Sequence, residues 1–126
     1  QGLIPALRSL AVVGLQDLKT QGFLSLWVET CAEAARNPKV ALTLRRSYDS
    51  FEQRLALLIT ESQKRRMVNP SLNPVDTARM ILATFDGLIL RNCFDRDLDT
   101  SATVAAFLGF LESLLGRPRK TPTHRA

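Results

Sequence analysis

PVDTARMILATFDGLILRNCF, residues 74–94, decides the fold, because it is apolar on two faces where a helix of a small domain needs only one. At about 100° per residue, Val75, Ala78, Ile81, Leu82, Phe85, Leu88, Ile89 and Cys93 form one wide stripe. Met80, Ala83, Gly87, Leu90 and Phe94 form a second. Narrow polar strips separate them, with Arg79 and Asp86 on one side and Thr77, Thr84 and Arg91 on the other. The next helical stretch, SATVAAFLGFLESLL at 101–115, is built the same way. Val104, Phe107, Leu108, Phe110, Leu111, Leu114 and Leu115 make its wide stripe, while Ala102, Ala105, Ala106, Gly109 and Ser113 make a face of small residues. One stripe of each helix belongs to the chain's own core; the other needs a further partner. A chain of 126 residues has few helices to cover both sides, so the second faces point to another copy of the same chain.

Working back towards the start, Asn73-Pro74 opens this helix with a side-chain cap followed by a residue whose missing N–H costs nothing in the first turn. Asn37-Pro38 repeats the device and opens the longest helix. Its stripe is Val40, Leu44, Tyr48, Phe51, Leu55, Leu58 and Ser62, ending near Arg66, a length of roughly 40 Å at about 1.5 Å per residue. Before it, Phe23, Trp27, Thr30, Cys31 and Ala34 share a face up to Arg36. A first helix is expected over 4–19 from Leu3, Leu7, Leu10, Ala11, Gly14, Leu15 and Leu18, with Pro5 in its first turn. Asp95 to Asp99 is a polar connection, after which Thr100 or Ser101 can cap the last helix. No alternating strand pattern occurs. The expected fold is therefore all-α, a five-helix bundle whose last two helices, antiparallel across a short loop, form an intermolecular four-helix bundle in a homodimer. Gly87, Gly109 and the alanines let those helices approach closely, although each glycine costs about 1 kcal/mol of helix propensity.

The net charge of +5 suggests nucleic acid, but Arg117, Arg119, Lys120 and Arg125 all follow Gly116 and leave only one excess positive charge on the body. Residues 1–116 read as one domain and 117–126 as a basic, disordered tail broken by Pro118 and Pro122. Arg45-Arg46 and Lys64-Arg65-Arg66 read as solvated helix surface. The chain has no export signal and no apolar run of the ~18 residues that a membrane span needs, so a cytoplasmic location is expected.

Chemistry is hard to find. The single histidine, His124, sits in the tail, and neither Cys31 nor Cys93 has a histidine available to activate it. Metal-ligand spacings, phosphate loops and Gly-x-Ser-x-Gly elbows are missing from the sequence. Asp95, Asp97 and Asp99 lack the glycine and distal glutamate of a calcium loop. The expectation is no enzyme, no metal and no cofactor. Polar and aromatic groups do lie on the inward stripes: Trp27, Thr30, Cys31, Ser47, Tyr48, Phe51, Ser62 and Asn92. Apolar walls with a few polar groups are the makeup of a small-molecule site between helices.

The run from Leu24-Ser25-Leu26-Trp27 through Ala32-Glu33-Ala34-Ala35-Arg36-Asn37-Pro38, then a long helix, Asn73-Pro74, Phe85-Asp86-Gly87-Leu88 and a final apolar helix to Leu114-Leu115 carries a resemblance. In order and spacing, over roughly residues 5 to 115, it resembles the C-terminal regulatory domain of TetR-family (tetracycline-repressor-like) transcriptional regulators. The resemblance implies a domain that binds a small effector and dimerises through its last two helices, while an N-terminal helix-turn-helix domain binds operator DNA. No helix-turn-helix is found in this chain, so operator binding would need a part outside it. Effector binding would then move two DNA-reading heads out of register with successive major grooves. The positions that match the family's pocket walls are Trp27, Cys31, Tyr48, Phe51, Leu55, Phe85 and Asn92. Met80, Ala83, Gly87, Leu90, Phe94, Ala102, Ala105, Ala106, Gly109 and Ser113 are the expected dimer contacts. The effector is expected to be mostly apolar or aromatic, because the inner stripes offer few charges. The alternative is a constitutive helical dimerisation module with a filled core and no effector.

Overall fold

The chain, in a computed structural model, is described over residues 2–17 and 22–116, apart from the side chains of 16 and 17. The basic tail and His124 lie outside the described residues, as do Leu18 and Lys19 at the expected end of the first helix. Five α-helices follow one another: α1 (Leu3–Val12), α2 (Phe23–Ala34), α3 (Pro38–Lys64), α4 (Pro74–Phe94) and α5 (Thr100–Leu115). A π-helical turn, Val13–Asp17, continues α1 directly. There is no strand among the described residues.

Both Asn-Pro starts work as their chemistry requires. Asn37 Oδ1 accepts from the Lys39 amide at 3.1 Å, and Asn73 Oδ1 accepts from the Val75 and Asp76 amides, each at 3.0 Å. The last helix departs from expectation. It starts one residue early, at Thr100, and is capped by Asp99, whose carboxylate accepts from the Ala102 amide at 2.9 Å. An anion at this end also meets the positive end of the helix dipole, which a hydroxyl does not.

α3 packs along both α4 and α2, while α1 packs along α5. The core runs from Leu3, Leu7, Ala11 and Leu15 through Leu55, Ala56 and Ile59 to Ala78, Ile81, Phe85 and Ile89, and closes on Val104, Phe107, Leu108, Leu111 and Leu115. At its centre the Phe85 and Phe107 rings lie 6.1 Å apart and tilted by 36°, a favourable aromatic geometry. Gly14 sits against Phe85 so closely that a Cβ there would run into the ring. The loop after α3 is tied down from two sides. Gln63 Nε2 donates to the Asn69 and Leu72 carbonyls, both at 2.9 Å, and the Asn69 amide donates to the Leu115 carbonyl at 2.9 Å.

The stripe read for α3 needs correction along its length. Leu55 and Ser62 are buried as expected, but Phe51 is 57% exposed, Leu58 is partly exposed, and Ala56 and Ile59 take the inward positions. Only the C-terminal half of α3 is enclosed, since its buried residues, Leu55, Ala56, Ile59 and Ser62, all lie beyond its midpoint. On α4, Thr77 is buried and Val75 and Cys93 are exposed, the reverse of their expected places. On α5, Phe110 leaves the core stripe and is half-exposed beside the groove that separates α5 from α4.

Candidate functional site

Thin cover over the first half of α3 leaves a cleft of about 420 Å³ where α2, α3 and α4 meet. α2 contributes Trp27, Cys31 and Ala34; α3 contributes Ala41, Leu44, Arg45 and Tyr48; α4 contributes Asp86. The helical period explains the set: Trp27, Cys31 and Ala34 are spaced by four and three residues, and Ala41, Leu44 and Tyr48 by three and four, so each group occupies one side of its helix.

One hydrogen bond organises the polar part. Tyr48 Oη donates to Asp86 Oδ1 at 2.9 Å, joining α3 to α4 across 38 positions of sequence. Burial pushes the Tyr48 phenol well above its ordinary value, and the neighbouring Asp86 charge adds to the shift, so the phenol keeps its proton as a donor. Burial also raises the Asp86 carboxyl, opposed by the Tyr48 hydrogen bond. The Cys31 thiol is raised as well, first by burial and then by Asp86, which makes it a poor nucleophile. Arg45 at the rim faces Asp49 on its own helix at 3.8 Å, so the cleft carries one carboxylate and no cation paired to it. A two-point pair from Arg79 to Glu52, at 2.8 and 3.2 Å, braces the same two helices one turn beyond Tyr48.

Of the expected pocket residues, the structure brings Trp27, Cys31 and Tyr48 together. Leu55 and Phe85 lie in the closed core. Phe51 stands outside, in a groove with Arg46, Ser47, Ser50 and Arg54. Asn92, 5% exposed, donates from Nδ2 to the Leu15 carbonyl at 3.0 Å and so holds the π-helical turn against α4. It borders a separate cleft with Gly22, Leu24, Ser25, Cys93 and Arg96. Sequence reasoning missed Asp86 as a wall of the Trp27 cleft. The acid on a narrow strip between two apolar stripes was the available signal.

The second apolar faces are equally concrete. Met80, Ala83, Gly87, Leu90 and Phe94 on α4, with Ala102, Ala105, Ala106, Gly109 and Ser113 on α5, are all exposed in the single chain. Phe94 is 68% and Met80 61% accessible. A groove of about 520 Å³ runs between the two helices, walled by Gly87, Leu88, Ala106, Phe107 and Phe110. Among the described residues no cluster of side chains could hold a metal ion, and no helix is long and apolar enough to cross a membrane.

A family model of BetI-type transcriptional repressor C-terminal domains matches residues 7–116. The chain is a TetR-family C-terminal domain. Members of that family are transcriptional repressors, not enzymes. This TetR-family domain is also similar to the HTH-type transcriptional regulator UidR of Escherichia coli K12 and that of Shigella flexneri. Identity with each is 27% over 95 residues, covering 75% of this chain and 46% of the regulator. The chain thus spans less than half the length of these curated relatives. No solved structure matches it.

Proposed function

We propose that this TetR-family domain dimerises through the exposed faces of α4 and α5 and binds a small effector in the Trp27–Tyr48–Asp86 cleft. In a regulator of its relatives' length, effector binding would control the operator affinity of a helix-turn-helix part. The observation that carries the reading is the exposed apolar face on two successive helices, which a lone chain leaves in water. Two such helices from each of two chains make a four-helix contact about a two-fold axis.

Effector and interface are joined by adjacent residues of α4. Asp86 lines the cleft, while Phe85 touches the Phe107 ring of α5 and crowds Gly14 in the turn that continues α1. A shift of α4 caused by a ligand on Asp86 would reach α1 and α5 through that one side chain, a coupling between sites carried by packed atoms. The test is the dependence of stability on protein concentration, since association of folded chains raises the thermal midpoint as concentration rises. The midpoint should climb with concentration for the native chain and become independent of it in Leu90→Lys. A midpoint independent of concentration in both would refute the dimer.

A further inference from the structure

The cleft also restricts the chemistry of its occupant, an inference that rests on the effector reading above. We infer that the effector presents a protonated amine carrying at least one N–H, on an apolar or aromatic body, and that Asp86 is its anchor.

Asp86 is a half-buried carboxylate whose only hydrogen bond among the described residues comes from the Tyr48 hydroxyl. None of the ion pairs among those residues includes it: Arg45 faces Asp49, Arg79 holds Glu52 and Asp76, and Arg91 holds Asp95. An anion drawn partly out of water with one neutral donor is short of both positive charge and hydrogen bonds. Burial accordingly lifts its carboxyl above the usual value, and only the Tyr48 bond acts against the shift. The groups nearest it bring no positive charge, because Tyr48 keeps its proton as a neutral donor and Cys31 is a raised, neutral thiol.

The rest of the cleft defines the complement. Trp27 and Tyr48 supply aromatic surface, which attracts a cation over the ring face, and Ala34, Ala41 and Leu44 supply apolar wall, while the one cation of the lining, Arg45, is largely exposed at the rim and paired with Asp49. An ammonium with N–H groups provides both missing elements, charge and donors. A quaternary ammonium provides charge alone, an alcohol provides a donor alone, and a carboxylate is repelled. The volume of about 420 Å³ lies in the range of single-molecule pockets and suits a ring with a short side arm.

Isothermal titration of the intact chain with benzylamine, benzyltrimethylammonium, benzyl alcohol and benzoate tests the inference. Benzylamine should bind tightest, tenfold or more ahead of benzyl alcohol and ahead of the quaternary compound, the scale of a charge-assisted hydrogen bond, and benzoate should not bind. Asp86→Asn should lower benzylamine affinity at least tenfold while benzyl alcohol changes less than twofold, which also shows that the variant is folded. Equal affinity for benzylamine and benzyl alcohol, or an amine affinity unchanged in Asp86→Asn, would overturn the ammonium inference and leave the effector reading standing. Parity of benzyltrimethylammonium with benzylamine would overturn the N–H requirement. Failure of all four to bind at millimolar concentration would overturn the effector reading along with it.

Discussion

Arg66 closes α3 in a conformation that usually belongs to glycine. Its φ of 60° is left-handed, its amide donates to the Gln63 carbonyl, and the Met67 amide reaches back to Ser62, each at 2.9 Å. That is the hydrogen-bond pattern of a glycine-terminated helix with a Cβ in the way. Arg66→Gly should therefore raise stability by about 1 kcal/mol in thermal or denaturant unfolding, since the left-handed cost exceeds the entropy a glycine loses on folding. Asp86 makes a second point of the same kind. Its carboxyl is raised in the folded state, so folding takes up protons there, and stability falls as pH rises from the unfolded value near 4 through the raised folded one. Asp86→Asn should accordingly raise the thermal midpoint of the unliganded domain at pH 7, with the gain vanishing below about pH 4. A gain that persisted in acid would mean that burial of the charge is not its source. The sequence could show that Asp86 is an acid between apolar stripes. That it meets Tyr48 could not be read, because the pairing joins residues 38 positions apart and depends on how their two helices are set side by side.

The helices themselves were legible because their determinants are local. The Asn-Pro pairs announce the starts of α3 and α4, and both asparagines cap as their spacing requires. Which side of a helix is buried is less local, and the reading strayed where cover is uneven. Phe51 and Leu58 continue a regular stripe of α3 yet stand partly or largely exposed, because only the far half of that helix is enclosed. The π-helical turn after α1 was not legible either. Apolar spacing over Leu3 to Leu15 fits an ordinary helix, and the widened turn answers to tertiary partners: Asn92 holding the Leu15 carbonyl and Phe85 filling the space over Gly14. Wide turns of this kind recur at functional sites. Gly14→Ala tests whether the turn is held by that close approach. The Phe85 ring is 6% exposed and lies against Phe107, so the added methyl should cost about 1–3 kcal/mol by overpacking despite the better helix propensity of alanine. A stabilised variant would show that the ring gives way freely and that Phe85 is not a firm link between α4 and α1.

The molecule as a whole has one face more than its own core uses. Its interior is closed by Leu15, Ile59, Ile81 and Leu111, each essentially inaccessible, while Met80, Leu90, Phe94 and Phe110 remain outside on the α4 and α5 surfaces. This excess was visible in the sequence, since two stripes on each of two helices follow from helical periodicity alone. The cleft was visible only in part, through Trp27, Cys31 and Tyr48. Gly87 offers the clearest probe of the outer face, because a Cβ added there meets nothing within 4 Å inside the chain. Gly87→Leu should leave the single chain folded, even gaining about 1 kcal/mol of helix propensity, while wedging apart two chains that meet across α4. Sedimentation velocity of the native domain and of Gly87→Leu over a hundredfold range of concentration measures this directly. The account predicts a dimer for the native chain and a folded monomer, or a dimer weakened tenfold or more, for the variant. A native monomer at every concentration, or a dimer indifferent to the leucine, would contradict it.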